Sequence, residues 1–185
     1  MKTSSLKITT MVLTLFALSA CEKIEELKDQ ASTNDDSIFG SIFGKDEPEV
    51  MVITQKSFDD YLEEAEEGDK DAQFVIAERY YYGEGVPRDY IEAVRWYRLA
   101  GQQGHLESQF HLAKVYYKGI GAAEDKLEAY AWVNLAASQG HEKAMNSRDK
   151  LEKHLTTYEI RRAQERSGEL FDEISNASVS VNASR

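Results

Sequence analysis

The sequence predicts an all-α fold, an α/α superhelical solenoid of helical hairpins, and three observations predict it. The phrase GDKDAQF (Gly68–Phe74) returns as GHLESQF (Gly104–Phe110) and as GHEKAMN (Gly140–Asn146), an even interval set by positions 68, 104 and 140. Between these phrases the apolar residues fall three and four apart, the spacing of one helix face, not two apart as in a strand. Several runs open on Asp, Ser or Thr and close on Gly, residues that start and stop helices. An array of this period buries its faces only by stacking, so at least about three hairpins are needed for stability.

The elements follow in order. Ser57 with Asp60 makes a capping box for a first helix to about Glu67, which Gly68 ends in the left-handed conformation. The next helix runs from about Lys70 to Tyr82, with Ala72, Ile76, Ala77 and Tyr80 on one face and Gly83 as its stop. GEGVPRD (Gly83–Asp89) is the turn: Pro87 excludes helix, and Asp89 with Glu92 forms a capping box for a helix that buries Ala93, Trp96, Leu99 and Ala100. The second cycle repeats these stations with Leu112, Ala113 and Tyr116, then Gly119 and Gly121, then Asp125 with Glu128, and Ala129, Trp132, Leu135 and Ala136. The alanines let paired helices approach, and Trp96 and Trp132 fill the wedges between hairpins. In the third repeat the turn contracts to Leu155 and Thr156, and Thr156 with Glu159 caps a closing helix through about Gly168. The solenoid is thus expected over residues 57–174. Residues 175–185, SNASVSVNASR, lack an apolar period and are expected to form a disordered tail.

These residues resemble the Sel-one-like repeat family, which is tetratricopeptide-like (TPR-like). The likeness lies in Ala72-Gln73-Phe74, in the pattern Y-x-x-G-x-G-V-P-x-D from Tyr80 to Asp89, in E-A-V-x-W-Y-x-x-A from Glu92 to Ala100, and in Gln103-Gly104-His105. It is strong over Gly68–Gln139 and weak from Gly140 to about Gln164. Ala122 and Ala123 depart from it, standing where Val and Pro are usual. The resemblance implies a protein-binding module that serves as an adaptor or regulator, not an enzyme.

Ahead of the solenoid the chain changes character. The net charge is −11, and residues 22–67 hold 15 Asp or Glu against four Lys, so the acidity belongs to the front of the molecule. No basic patch suits a run of phosphates, which argues against nucleic acid as a partner. Residues 1–20 place Lys2 and Lys7 before an apolar run from Ile8 to Leu18, the build of a secretory signal peptide. The run ends in LSAC (Leu18–Cys21), and Cys21 is the only cysteine. This resembles the bacterial lipobox, which implies cleavage before Cys21 and its lipidation with acyl chains such as palmitate. The lipoprotein would then be held on the membrane of the bacterial cell envelope, and Glu22 implies the periplasmic face of the outer membrane in a Gram-negative cell. Residues 21–56 are expected to be a flexible, self-repelling acidic tether. Within it, SIFGSIFG (Ser37–Gly44) is read either as a docking motif, for a partner or for the protein's own groove, or as linker drift. VMVIT (Val50–Thr54) is expected to cover an apolar end of the solenoid.

Catalytic residues are not expected. His105 and His111 are six apart, not the four that bring two metal ligands to one helical face, and no HExxH, GxSxG or phosphate loop occurs. No metal site or cofactor is expected. His105 and His141 share a station that the first repeat gives to Asp69, which marks a helix-entry device rather than a proton carrier.

What remains is the inner groove, lined by the first helix of each hairpin. Its stations are Asp71, Phe74, Glu78, Tyr81 and Tyr82, then Glu107, Phe110, Lys114, Tyr117 and Lys118, then Lys143, Asn146, Lys150, Lys153 and His154. From these, Glu78, Tyr81, Tyr82, Lys114, Tyr117, Lys118, Lys143, Lys150 and Lys153 are the candidate partner-binding residues. An aromatic floor graded from acidic to basic suits an extended peptide or protein of the envelope. A cell-wall glycan such as peptidoglycan is the alternative ligand, and a hydrolase a more distant one.

Overall fold

The computed structural model describes residues 38–44 and 56–183, with side chains as far as residue 176. The signal segment, Cys21, VMVIT and most of the acidic tether lie outside the described residues. The chain divides into two compact units, residues 1–40 and 41–185. Of the first, residues 38–40 open a short helical turn, α1 (residues 38–43), on which Ile38 is exposed and Phe39 buried. The rest belongs to the second unit.

That unit runs α2 (Phe58–Glu66), α3 (Lys70–Tyr82), α4 (Tyr90–Gln102), α5 (Leu106–Lys118), α6 (Lys126–Ser138), α7 (Glu142–Leu151), a 3-10 turn (Glu152–His154) and α8 (Thr157–Ala183), with no strand among the described residues. Each helix from α2 to α7 packs chiefly on its neighbours in sequence, and α8 lies against α6. Such a neighbour-to-neighbour pattern is that of a solenoid.

The caps explain the boundaries. Ser57 and Asp60 exchange both bonds of a capping box, Asp60 N donating to Ser57 Oγ at 3.2 Å and Ser57 N to the Asp60 carboxylate at 2.9 Å. Thr156 and Glu159 do the same before α8. At Asp89 and Asp125 only half of the expected box forms. Each aspartate caps two amides, but its own N–H is already spent on the preceding helix, Asp89 N on Tyr80 O and Asp125 N on Tyr116 O, both at 2.9 Å. The partner glutamates are therefore released for other work: Glu92 holds Arg95, and Glu128 accepts from Trp132 Nε1 and from Arg166 of α8, both at 3.2 Å.

Gly121 is required twice over. Its φ of +71° strains any other residue, and a Cβ there would lie 2.2 Å from Tyr90 O. Its counterpart Gly85 shares the φ sign but faces open space. The second turn is thus seated on the first hairpin even though Ala122 and Ala123 replace the usual Val and Pro.

Most of the predicted core stations are buried, but Tyr80 and Tyr116 are half-buried and Leu99 is exposed. Ile76, Ala77, Ala93, Trp96, Leu112, Ala113, Ala129, Trp132 and Ala136 are all buried. Leu135 is 1% exposed, whereas its equivalent Leu99 is 38% exposed. The difference is α8: it covers α6 through Ala163, Ser167 and Leu170, which are buried, while α4 has no comparable cover at that station. The expected stop near Gly168 and the expected disordered tail from 175 also differ from the structure. The backbone stays helical through Ala183, because no proline and no capping glycine intervenes after Gly168.

Candidate functional site

The first helices of the hairpins, α3, α5 and α7, carry the groove stations. Their entry points are built alike. His105 Nδ1 accepts from Ser108 N at 3.1 Å and His141 Nδ1 accepts from Ala144 N at 3.0 Å, each ring serving as the N-cap of its helix. An acceptor Nδ1 places the ring proton on Nε2, which faces an acid of the preceding first helix: Asp71 at 3.6 Å from His105, Glu107 at 2.6 Å from His141. Phe74 lies against the His105 ring at 4.7 Å between centroids, and Phe110 stacks on His141 at 5.1 Å. Burial lowers the His105 pKa, while the His141 hydrogen bond is the main cause of the lowered Glu107 pKa. The phrase GHLESQF is thus a cap, a ring stack and an inter-hairpin bond, the helix-entry device expected of it.

Glu78, expected in the groove, is buried instead. Its carboxylate accepts the Tyr97 hydroxyl and sits 3.3 Å from His111 Nδ1, joining α3, α4 and α5. Burial, then the charge of Glu78, pushes the Tyr97 pKa well up, so the phenol stays protonated as a donor. A buried carboxylate needs such partners, and this one is satisfied by structure rather than offered to a ligand.

Tyr81 and Tyr82 are half-buried, edge to face at 5.0 Å, with Tyr81 also 5.2 Å from Tyr90. On α5, Lys114 and Tyr117 are buried and Lys118 half-buried. Lys143, Lys150 and Lys153 are exposed, and Lys143 Nζ lies 3.8 Å from Glu107. Cys21 is outside the described residues.

The burial of Tyr117 has a specific cause. The second half of α1, residues 41–43, lies on α5 and α7. Phe43 packs at 6.0 Å from Phe110 and at 5.4 Å from Tyr117, both tilted. The Ile42 carbonyl accepts from Ser147 Oγ of α7 at 2.7 Å, and Ile42 is 1% exposed, Phe43 8% and Ser147 2%. This segment of the expected tether is therefore ordered helix, since Phe39, Ile42 and Phe43 fall on one face at helical spacing. Ser147 and His111 were not legible as site residues, because a lone Ser or His on a helix face carries no pattern. The tandem SIFG was the available signal for the seat.

Among the described residues, no group of three or more His, Cys, Asp or Glu could hold a metal ion. No described helix is long and apolar enough to cross a membrane.

This geometry defines a class: a helical-hairpin repeat protein, with residues 41–43 packed on two of its first helices. Residues 70–105 and 106–141 each match the Sel1 repeat, so the chain carries two Sel1 repeats. A protective antigen of uropathogenic Escherichia coli displaying an SLR fold is similar in structure, with a TM-score of 0.62 and 28% identity over 65% of this chain. A Sel1 repeat protein from Oxalobacter formigenes matches with a TM-score of 0.48 and 34% identity over 49% of this chain. The chain spans 26% of the length of each of those proteins. No curated protein matches the chain. Sel1 repeat proteins are in general protein–protein interaction modules and typically non-enzymatic scaffolds.

Proposed function

We propose that the chain is a lipid-anchored protein-interaction module of the bacterial cell envelope. Cys21 attaches it to the membrane, the acidic segment spaces it from the surface, and the first helices of the hairpins receive a partner peptide or protein in an adaptor or regulatory role. The observation that carries the docking role is the seat on α5 and α7. An apolar helical turn finds there an aromatic shelf, Phe110 and Tyr117, and a buried hydroxyl, Ser147, for a backbone carbonyl. Aromatic side chains bury much area at small entropic cost. The exposed Lys143, Lys150 and Lys153 at the far end orient an acidic flank of the ligand. Anchoring is supported by the lysine-flanked apolar leader and LSAC, and two or more acyl chains at about 0.8 kcal/mol per buried methylene hold stably.

The test is a photo-crosslinking residue at Tyr82 of the full chain in living bacteria, with adducts identified from the membrane fraction. A discrete protein adduct, lost when Lys150 and Lys153 are both changed to Glu, is expected. Glycan adducts, or none outside the chain itself, overturn the docking role. Cys21→Ser is expected to release the chain from membranes, and retention of the variant there overturns the anchor.

A further inference from the structure

We propose that Ser41–Gly44 is an intramolecular ligand of the α5–α7 seat, and that the partner admitted there is a segment of the same chemistry: a short helical turn with adjacent aliphatic and aromatic side chains. This rests on the docking role given above and names both its ligand class and its control.

Three features mark a ligand seat rather than ordinary core. Ser147 is a polar side chain almost fully removed from solvent, and its hydroxyl is directed to the Ile42 carbonyl at 2.7 Å. The equivalent stations of α3 and α5 hold Val75 and His111, so the hydroxyl is peculiar to the place where the turn lands. Removing the turn leaves a buried hydroxyl whose partner is gone, a cost that a replacement carbonyl offsets. The aromatic shelf is likewise completed from outside the repeat, Phe43 lying over Phe110 and Tyr117.

The second feature is the size of the occupant. One helical turn, Ile42 and Phe43 with their carbonyl, makes these contacts, and Gly44 at φ +84° ends it. A turn of this length has little stability alone and depends on the surface that receives it.

Connectivity is the third. Gly44 and the first described residue of the solenoid, Lys56, are twelve positions apart. A ligand on so short a connection competes at an effective concentration on the order of millimolar. A partner at micromolar concentration therefore enters only if it binds better or if the membrane-proximal segment is drawn away. The tandem SIFGSIFG supplies the Ile-Phe pair twice, so the chain itself carries a second copy of the recognised chemistry.

The probe is a fluorescent peptide of residues 36–46 added to the full chain, purified from membranes in mild detergent. The comparison is between the natural chain and the double variant Ile42→Ser, Phe43→Ser. The variant is expected to bind the peptide, and the natural chain about 100-fold more weakly, following the effective concentration of its own segment. A peptide bearing the same two serines is expected to bind neither. A second measurement avoids altering the seat's occupant: a protease site inserted between residues 48 and 52 is cut in the folded protein. Cleavage and dilution are expected to open the natural seat to the peptide. Equal binding to natural and opened chains overturns the proposal, as does absence of binding to both the folded double variant and the cleaved chain. In either case the segment is a structural strap. Because the assay uses no envelope partner, its failure leaves the crosslink from Tyr82 to be judged alone. Loss of the Tyr82 adduct leaves the peptide result standing.

Discussion

Hairpins α3–α4 and α5–α6 turn at Gly83 and Gly119 with nearly one geometry, φ 75° and ψ 36° against φ 67° and ψ 32°, and enter their second helices through aspartates that agree as closely. Their surroundings differ. The tyrosines of α3 are half-buried and lie on one another, whereas Tyr117 of α5 lies beneath Phe43. On the opposite side, Leu135 of α6 is covered by α8 and Leu99 of α4 is exposed. A repeat therefore copies its backbone faithfully while its environment assigns each copy a different duty. At these two stations the first hairpin is partly exposed and the second is covered.

The comparison is sharpest at the turns. Gly121→Ala combines a strained φ with overlap on Tyr90 O and should cost about 4 kcal/mol, while Gly85→Ala, strained but unobstructed, should cost about 1 kcal/mol. At about 2–4 °C per kcal/mol the two melting temperatures separate clearly in thermal unfolding. Equal losses would mean that the second turn is not seated on α4.

Next come the leucines. Leu135→Ala should cost about 3 kcal/mol and Leu99→Ala less than about 1 kcal/mol, the difference between a filled core position and a surface one. If chemical denaturation finds Leu99 as costly, then something covers α4 in solution.

For the seat, Phe43→Ala should cost about 2 kcal/mol, below the usual range for a core phenylalanine because α1 is held by few groups. Tyr81→Ala should cost about 1 kcal/mol. The reverse order, measured on the same urea scale, breaks the claim that the second hairpin alone is capped.

The smallest effect is in pH. The folded pKa of His105 is lowered from 6.5 by burial, against the raising influence of Asp71 and Glu107 and with lowering from Lys70 and His141. The unfolded chain therefore binds the proton more readily. The associated stability is complete above pH 6.5 and is lost as pH falls through the lowered folded value. Glu107, lowered from 4.5 chiefly by the His141 bond, adds a second loss as pH falls below that value. Melting temperature should decline in these two windows, and His105→Asn, which keeps a capping acceptor, should remove only the first. An unchanged first step in that variant assigns it to another group.

Much of this was readable in the residues. Helix starts at Ser57 and Thr156, the wedge tryptophans and the structural role of His105 and His141 follow from local chemistry acting within a few positions. Glu78 was misplaced because its burial depends on Tyr97 and His111, on two other helices. The reciprocal cap bonds at Asp89 and Asp125 failed because Tyr80 and Tyr116 had already taken the amides. Leu99 and Leu135 are indistinguishable by pattern, and the end of α8 carries no stop that would have announced it either way.

By itself the sequence determined the all-helical repeat, its period, its turns and its caps, since propensity, glycine conformation and apolar spacing act over one or two turns of chain. Only the tertiary structure decided which copy is covered. Whether α8 lies on α6, and whether Ile42 and Phe43 occupy the shelf of Phe110, Tyr117 and Ser147, depends on contacts between residues as far apart as 42 and 147. Such contacts leave no periodic trace, because each forms once.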